Sequence, residues 1–296
     1  MSVIKTINIR KSYSSFSAIN GVSLSIDKGE IFALIGPNGS GKSTLINCIT
    51  GAKSHDSGSI YLFEEDLKIL DKSRISLLPQ SFEPPTHLTT LELISYFSRL
   101  YGVKNDPAEI LKKIGLSSQS DKKFYELSGG QKRRICVGIS IVNDPEIIFL
   151  DEPTTGIDPA GRFEIWELIK NMALEGVTVF LTTHYMHEVE HLANRVGVIL
   201  DGNIIATGTP SDLVNNFGKE CTLTVKTNSK PFEIPGYNSD FKDGNLSIHN
   251  IQSNQIGDLI KTLSISEISY DSLSWNQPNL ETVYLELIKN YSGESQ

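Results

Sequence analysis

The chain has 296 residues, of which 39% are hydrophobic and 21% charged. That is the balance of a folded globular protein, long enough for one large domain or two modest ones, and it excludes a disordered polypeptide. With 27 Lys and Arg against 35 Asp and Glu the net charge is −8, so the molecule as a whole is repelled by nucleic acid and no nucleic-acid partner is expected.

Three cysteines, Cys48, Cys136 and Cys221, lie far apart with no CxxC spacing, which reads as reduced, packed thiols. The start "MSVIKTINIR" alternates apolar and polar residues and carries no signal-like apolar block. The longest apolar runs, such as "VGVIL" at 196–200, fall far short of the roughly 20 residues that cross a bilayer. If the protein works at a membrane, another chain does the crossing.

Along the chain, "TINIRKSY" and "GVSLSID" alternate at period two and predict strands. "IFALI" follows as a continuous apolar strand and ends on "GPNGSGKST" at 36–44. This segment fits G-x-x-x-x-G-K-[ST], with Gly36, Gly41, Lys42 and Ser43 at the fixed positions. Glycines there let backbone N–H groups curl around phosphates, and the next helix, "STLINCITG", points its positive end at the same anion. Lys42 adds a mobile charge and Ser43 a hydroxyl for Mg²⁺.

A mostly helical stretch comes next. "TTLELISYFSRLYG" opens with a capping box, Thr89 to Glu92. "NDPAEILKKIG" has Asp106 as cap, Pro107 at the first helical position and Gly115 at its end. In "ELSGGQKRRICVGIS", 126–140, Ser128 suits an N-cap and Gly129 and Gly130 leave N–H groups uncovered, making a second helix start built for an anion. Lys132, Arg133 and Arg134 are expected to add positive field there or to form a solvated helix face.

Continuous apolar runs recur in "EIIFLDEP" and "VTVFLTTH". Runs without alternation predict strands buried on both faces, hence a parallel sheet covered by helices. The first ends on Asp151 and Glu152, one suited to Mg²⁺ and the other to an attacking water. The second ends on His184, at the carboxyl edge where ligands bind in such sheets. His184, His187 and His191 do not predict a metal site, because "YMHEVEH" reads as a helix that leaves His184 outside and puts the other two on its exposed side. "VGVILDGNIIATG" predicts a hairpin turning on Asp201-Gly202, and "TPSDLVNNFG" a short helix. After Gly218 the composition shifts to Ser, Asn and Ile. Short strands ("CTLTVKT", "NLSIHN", "ISEISYDSLSW") and two helices ("NQIGDLIKTLS", "NLETVYLELIKNY") predict a small α+β accessory domain over 219–296.

Taken in order, Tyr13, "GPNGSGKST", Gln80 in "LLPQ", "LSGGQ" at 127–131, "IIFLDEP", "TTGIDP" at 154–159 and His184 in "TTHYMHEVE" resemble the ATP-binding subunit of an ABC transporter, over residues 1 to about 215. The resemblance implies an ABC ATP-binding domain over 1–218: a P-loop NTPase core with a mainly parallel sheet, an antiparallel N-terminal β subdomain and a helical signature subdomain near 85–143. By the same resemblance Tyr13 stacks on adenine, and Gly36, Pro37, Asn38, Gly39, Ser40, Gly41, Lys42, Ser43 and Thr44 cradle the phosphates. Ser43, Gln80 and Asp151 meet Mg²⁺, Glu152 polarises the attacking water and His184 touches the γ-phosphate. Gln80 also links nucleotide state to the helical region that docks a membrane partner. Ser128, Gly129, Gly130 and Gln131 address ATP held by the opposite subunit, and Asp158 helps couple the two sites.

"TTGIDP", "TTHYMHEVE", "GTPSDL" and the ending "PNLETVYLELIKN" are similar to stand-alone ATPase subunits of bacterial ABC-2-type exporters. The implied partners are a polytopic membrane (permease) subunit and a second ATP-binding subunit, in a homodimer or heterodimer. The implied location is cytoplasmic, peripheral on the membrane through that partner. A soluble ABC ATPase acting on ribosomes or nucleic acid is the alternative. Such chains usually carry tandem ATPase units or a long coiled coil between "GKST" and "SGG", whereas only a short helical segment separates Lys42 from Ser128 here. Glu152 and His184 argue against a module that merely binds ATP.

Overall fold

The computed structural model describes residues 1–14, 16–218, 221–227, 234, 236–242, 244–251, 255–265, 270–276 and 278–294. The chain forms two compact units, Met1–Pro210 and Ser211–Gln296.

In the first unit the two alternating segments become long strands, β1 (Ser2–Tyr13) and β2 (Phe16–Asp27). They pair antiparallel in a four-stranded sheet of order β2-β1-β4-β5 with β4 (Ser57–Leu62) and β5 (Glu65–Asp66). The three continuous apolar runs become β3 (Ile31–Ile35), β7 (Ile147–Asp151) and β8 (Thr178–Thr183), every residue of which is buried. They form the centre of a six-stranded sheet of order β10-β9-β3-β8-β7-β6. Its other strands are β6 (Ile75–Leu78), β9 (Arg195–Leu200) and β10 (Asn203–Gly208). All pairs are parallel except β10 with β9, the hairpin that turns on Asp201 and Gly202, both at positive φ.

Helix α1 (Lys42–Ile49) shares one core with both sheets, where its Leu45, Ile46, Cys48 and Ile49 meet Ile4, Ile9, Phe32, Leu34, Ile60, Phe149 and Phe180. Phe180 on the middle strand packs between Phe32 and Phe149 at ring-centroid distances of 5.4 and 5.7 Å. Truncating such a ring in a filled core costs about 3–5 kcal/mol.

The helical region contains α2 (Thr90–Leu100), α3 (Pro107–Lys113) and α4 (Gly129–Ser140). Thr89 and Glu92 make the expected capping box, and Asp106 caps α3 by accepting from the Ala108 amide. Helices α5 (Pro159–Leu174) and α6 (Met186–Leu192) follow β7 and β8. The strands β4 to β6 were not anticipated; they are short and bounded by turns, so they lack a readable period.

Helix α7 (Pro210–Phe217) spans the division between the units. The second unit has its own antiparallel sheet, order β12-β13-β11-β14, made of β11 (Cys221–Lys226), β12 (Asn238–Lys242), β13 (Asn245–Ile251) and β14 (Ser272–Asn276). With α8 (Ile256–Ile265) and α9 (Leu280–Glu294) it is an α+β arrangement, and Leu223, Val225, Leu246, Ile248, Leu259 and Leu263 form its core. Of the expected strand "ISEISYDSLSW", residues 266–269 lie outside the described residues. Among the described residues no helix is long and apolar enough to cross a membrane.

Candidate active site

Register decides where the chemistry gathers. Asp151 at the end of β7 lies opposite Thr182 of β8, and Thr183 lies opposite Ile35 of β3. Gly36 and His184, each one residue beyond that last pair, therefore emerge at the same edge of the sheet, level with Glu152. Leu78 of β6 lies opposite Leu150 of β7, so Gln80 also emerges beside Glu152. Four loops far apart in sequence meet because their strands end together.

The glycine-rich loop turns into α1 at Gly41, whose φ of 106° forbids a side chain and whose missing Cβ would stand 2.3 Å from the Ala18 carbonyl oxygen. Lys42 begins the helix and is only 5% exposed. Its Nζ donates to the carbonyls of Gly36 (2.8 Å) and Pro37 (3.1 Å), held back across the loop's mouth. Burial lowers the Lys42 ammonium below its ordinary value, and the charges of Glu152 and Asp151 oppose that shift. The Ser40 hydroxyl is buried in the same loop without a partner.

Glu152 has φ 48°, a left-handed backbone that glycine adopts far more readily than other residues, which costs on the order of 1–3 kcal/mol. Its amide is held by both the carbonyl oxygen (3.1 Å) and the hydroxyl (3.0 Å) of Thr182. The Thr182 hydroxyl in turn donates to Oδ1 of Asp151 at 2.5 Å. One threonine thus holds the Asp151 carboxylate and the Glu152 backbone. Glu152 Oε2 accepts from Gln80 Nε2 (3.1 Å) and from the Thr155 hydroxyl (3.0 Å), and His184 Nδ1 stands 3.4 Å away. Glu152 is 8% exposed, so these groups address a carboxylate largely removed from water.

Of these residues Lys42, Gln80 and Glu152 face a cleft of about 380 Å³ whose other lining residues are Tyr13, Phe16, Ala18, Asn38, Gly39, Gly41, Ser43 and Thr44; Asp151 and His184 are not in its lining. Tyr13 forms one wall, with the ammonium groups of Lys11 and Lys53 at 5.6 and 5.3 Å from its ring centroid. Ser43, Gln80 and Asp151 offer hydroxyl, amide and carboxylate oxygens, the hard donors that suit Mg²⁺.

The second expected anion site is elsewhere. Ser128, Gly129, Gly130 and Gln131 do not line this cleft. Ser128 caps α4 in a full capping box with Gln131, and Ser128 and Gly129 are exposed. Asp158 caps α5 by accepting from the Gly161 amide at 3.2 Å.

The expectation for the basic run after it needs correction. Arg133 turns inward: Nε donates to Pro153 O (2.8 Å), Nη2 to Asp151 O and Glu152 O (3.2 Å each) and Nη1 to Gln80 O (3.3 Å). Arg134 pairs with Glu164 and reaches the carbonyls of Ile114 and Gly115, and Lys132 sits over the Phe124 ring. His187 is exposed as expected, but His191 stacks against Trp166 at 5.0 Å and lies 3.0 Å from Lys170 Nζ. Among the described residues no group of His, Cys, Asp and Glu is arranged to hold a metal ion by itself. Sequence reading missed Thr182, Thr155, Phe16 and the inward role of Arg133. The hydroxyl at the end of an apolar strand was the one visible hint, in "FLTTH".

Known proteins resemble this chain over most of its length. The family described as ABC transporter matches residues 19–155. The linearmycin resistance ATP-binding protein LnrL of Bacillus subtilis (strain 168) is 34% identical over 96% of this chain and 98% of its own length. The Nod factor export ATP-binding protein I of Paraburkholderia xenovorans (strain LB400) is 36% identical over 70% of each chain. Among solved structures, a nucleotide-free ATP-binding cassette from an ABC transporter superposes with TM-score 0.66 at 30% identity, covering 73% of this chain and 94% of the other. A dimeric cassette in a post-hydrolysis state bound to ADP and Pi superposes with TM-score 0.63 at 27% identity, covering 70% of this chain and 98% of the other.

Proposed function

The chain belongs to the ABC transporter family as an ATP-binding, ATP-hydrolysing subunit of exporter type, and we propose how its residues divide that work. The loop 36–44 and Lys42 take the phosphates of ATP, exchanging the Lys42 contacts with Gly36 and Pro37 for phosphate oxygens. Tyr13 stacks on the adenine, its ring backed by Lys11 and Lys53. Glu152 orients the attacking water, and His184 meets the γ-phosphate beside it. Ser43, Gln80 and Asp151 would hold Mg²⁺, which when bound neutralises charge developing on the phosphates.

In the same proposal, Ser128, Gly129 and Gly130 serve the ATP held by a second ATP-binding subunit. The position of all three outside the cleft, and the exposure of Ser128 and Gly129 at the start of α4, support this. Asp158 couples the two sites, and Gln80, hydrogen-bonded to Glu152, reports nucleotide state to the helical region. That region docks a polytopic membrane subunit, so the protein works at the cytoplasmic face of a membrane through its partner. Residues 219–296 serve as the accessory domain.

The observation that carries this reading is the convergence of Lys42, Gln80 and Glu152 on one cleft, with His184 on the Glu152 oxygen. Two measurements test it. The purified chain should hydrolyse ATP, and it should co-purify with a polytopic membrane protein when expressed with its genomic neighbours. Recovery only with ribosomes or nucleic acid would overturn the transport assignment.

A further inference from the structure

Among the described residues, one carboxyl away from the cleft is completely enclosed. Glu188, on α6, is 0% exposed. Its Oε1 accepts from the Thr154 hydroxyl (2.9 Å) and from the Trp166 indole Nε1 (3.0 Å). Its Oε2 is buried and accepts no well-aligned hydrogen bond among the described residues. Burial pushes this carboxyl above the usual carboxylate range, opposed by hydrogen bonding from Thr183, Thr154 and Trp166 and by the charge of Arg162. An apolar side chain of the same size would fill the place at less cost, so stability alone does not account for an acid here.

The partners give it a use. Thr154 adjoins Thr155, whose hydroxyl donates to Glu152 Oε2. Helix α6, which carries Glu188, starts two residues after His184. Trp166 belongs to α5, and from the same helix Arg162 lays its guanidinium over the Tyr185 ring at 4.1 Å, next to His184. A single carboxyl therefore joins the chain leaving Glu152 to the chain leaving His184, on both sides of their 3.4 Å contact.

We propose that Glu188 is a positioning residue for ATP hydrolysis, its buried carboxyl tying the loop that follows Glu152 to the helix that follows His184. The acceptor oxygen, held by Thr154 and Trp166, is the working part. The inference rests on the ATPase reading above and adds to it a residue that touches neither nucleotide nor water.

The test is steady-state ATP hydrolysis by the full chain. Glu188→Ala should lower kcat about tenfold or more while KM for ATP stays within about twofold. Glu188→Gln keeps the acceptor oxygen and should recover kcat to within about threefold of wild type. Thr154→Val should lower kcat in the same way, and the double variant with Glu188→Ala should be no worse than the poorer single one. Should Glu188→Ala fail to fold, Thr154→Val and Glu188→Gln decide the matter. An unchanged kcat in Glu188→Ala, a Glu188→Gln variant as poor as the alanine, or additive effects in the double variant would overturn the inference. Hydrolysis by the wild type with an unaffected Glu188→Ala sinks the inference alone. No hydrolysis by the wild type sinks the ATPase reading and the inference with it.

Discussion

His184 Nδ1 lies 3.4 Å from Oε2 of Glu152, the same oxygen that accepts from Gln80 and Thr155. Residues from three separate loops thus meet at one carboxylate oxygen, which makes that oxygen the most exacting point at which to test the site.

Glu152→Gln exchanges the carboxylate for an amide of the same shape. Turnover should fall at least about a hundredfold, because an amide cannot draw the proton from water. ATP binding should persist, since the phosphate loop is untouched, and an ATP-dependent dimer should accumulate. Rapid-quench hydrolysis together with nucleotide-binding fluorescence checks this; wild-type turnover in the variant would show that the base is another group.

Ser128→Arg places a long cation at the exposed start of α4, away from the cleft. Losing the cap should cost about 1 kcal/mol, too little to unfold the chain. ATP should still bind the monomer, while closure into a dimer and hydrolysis should both fail. Light scattering with and without ATP separates these outcomes, and a variant that still dimerises would contradict a shared site.

Arg133→Lys removes the fork that spans the carbonyls of Gln80, Asp151, Glu152 and Pro153. Lysine cannot address four oxygens at fixed angles. The substitution should cost about 2 kcal/mol in urea unfolding, as expected for charge-assisted bonds lost around half-buried carbonyls. It should also lower kcat, because the backbone of both acids rests on it. A stability and a rate equal to wild type would show the fork to be dispensable.

Cys136 reports on packing. Burial pushes its thiol from an ordinary 9.0 up to about 11, against the opposing charge of Arg133. At pH 8 the folded protein then holds about one thiolate in a thousand at this position, and a disulfide reagent should label it only after denaturation. The folded value lies above the unfolded one, so this thiol favours the folded state fully below pH 9.0. That contribution is lost as pH rises from 9.0 to about 11. Thiol release against urea concentration, followed by urea melts across that pH range, reads both effects. Rapid labelling of Cys136 in the native protein would overturn the packing argument.

Much of the site was legible because its local parts are built from neighbours in sequence. The glycine-rich loop, the capping box at Thr89, the N-cap at Ser128 and the turn at Asp201-Gly202 each depend on contacts within about four residues, and each formed as its residues require. The three buried strands were legible for a similar reason, since an unbroken apolar run has no polar face to show to water.

What the residue order could not display was convergence. Arg133 looks like one of three surface cations until α4 is set beside the loop after β7, when its fork meets four carbonyls. His191 looks exposed until α5 brings Trp166 against it. Strand β6 was invisible at four residues, yet it delivers Gln80 to Glu152.

The sequence by itself determined that the chain would bind a phosphate, which residues would cap which helices, and that three strands would be buried. Only the tertiary structure decided that β8 would lie between β3 and β7, in a register that ends them level. The physical reason is that strand pairing uses backbone groups every residue carries. Position in the sheet therefore follows from packing both faces of all the strands at once, and that packing brings His184 to Glu152.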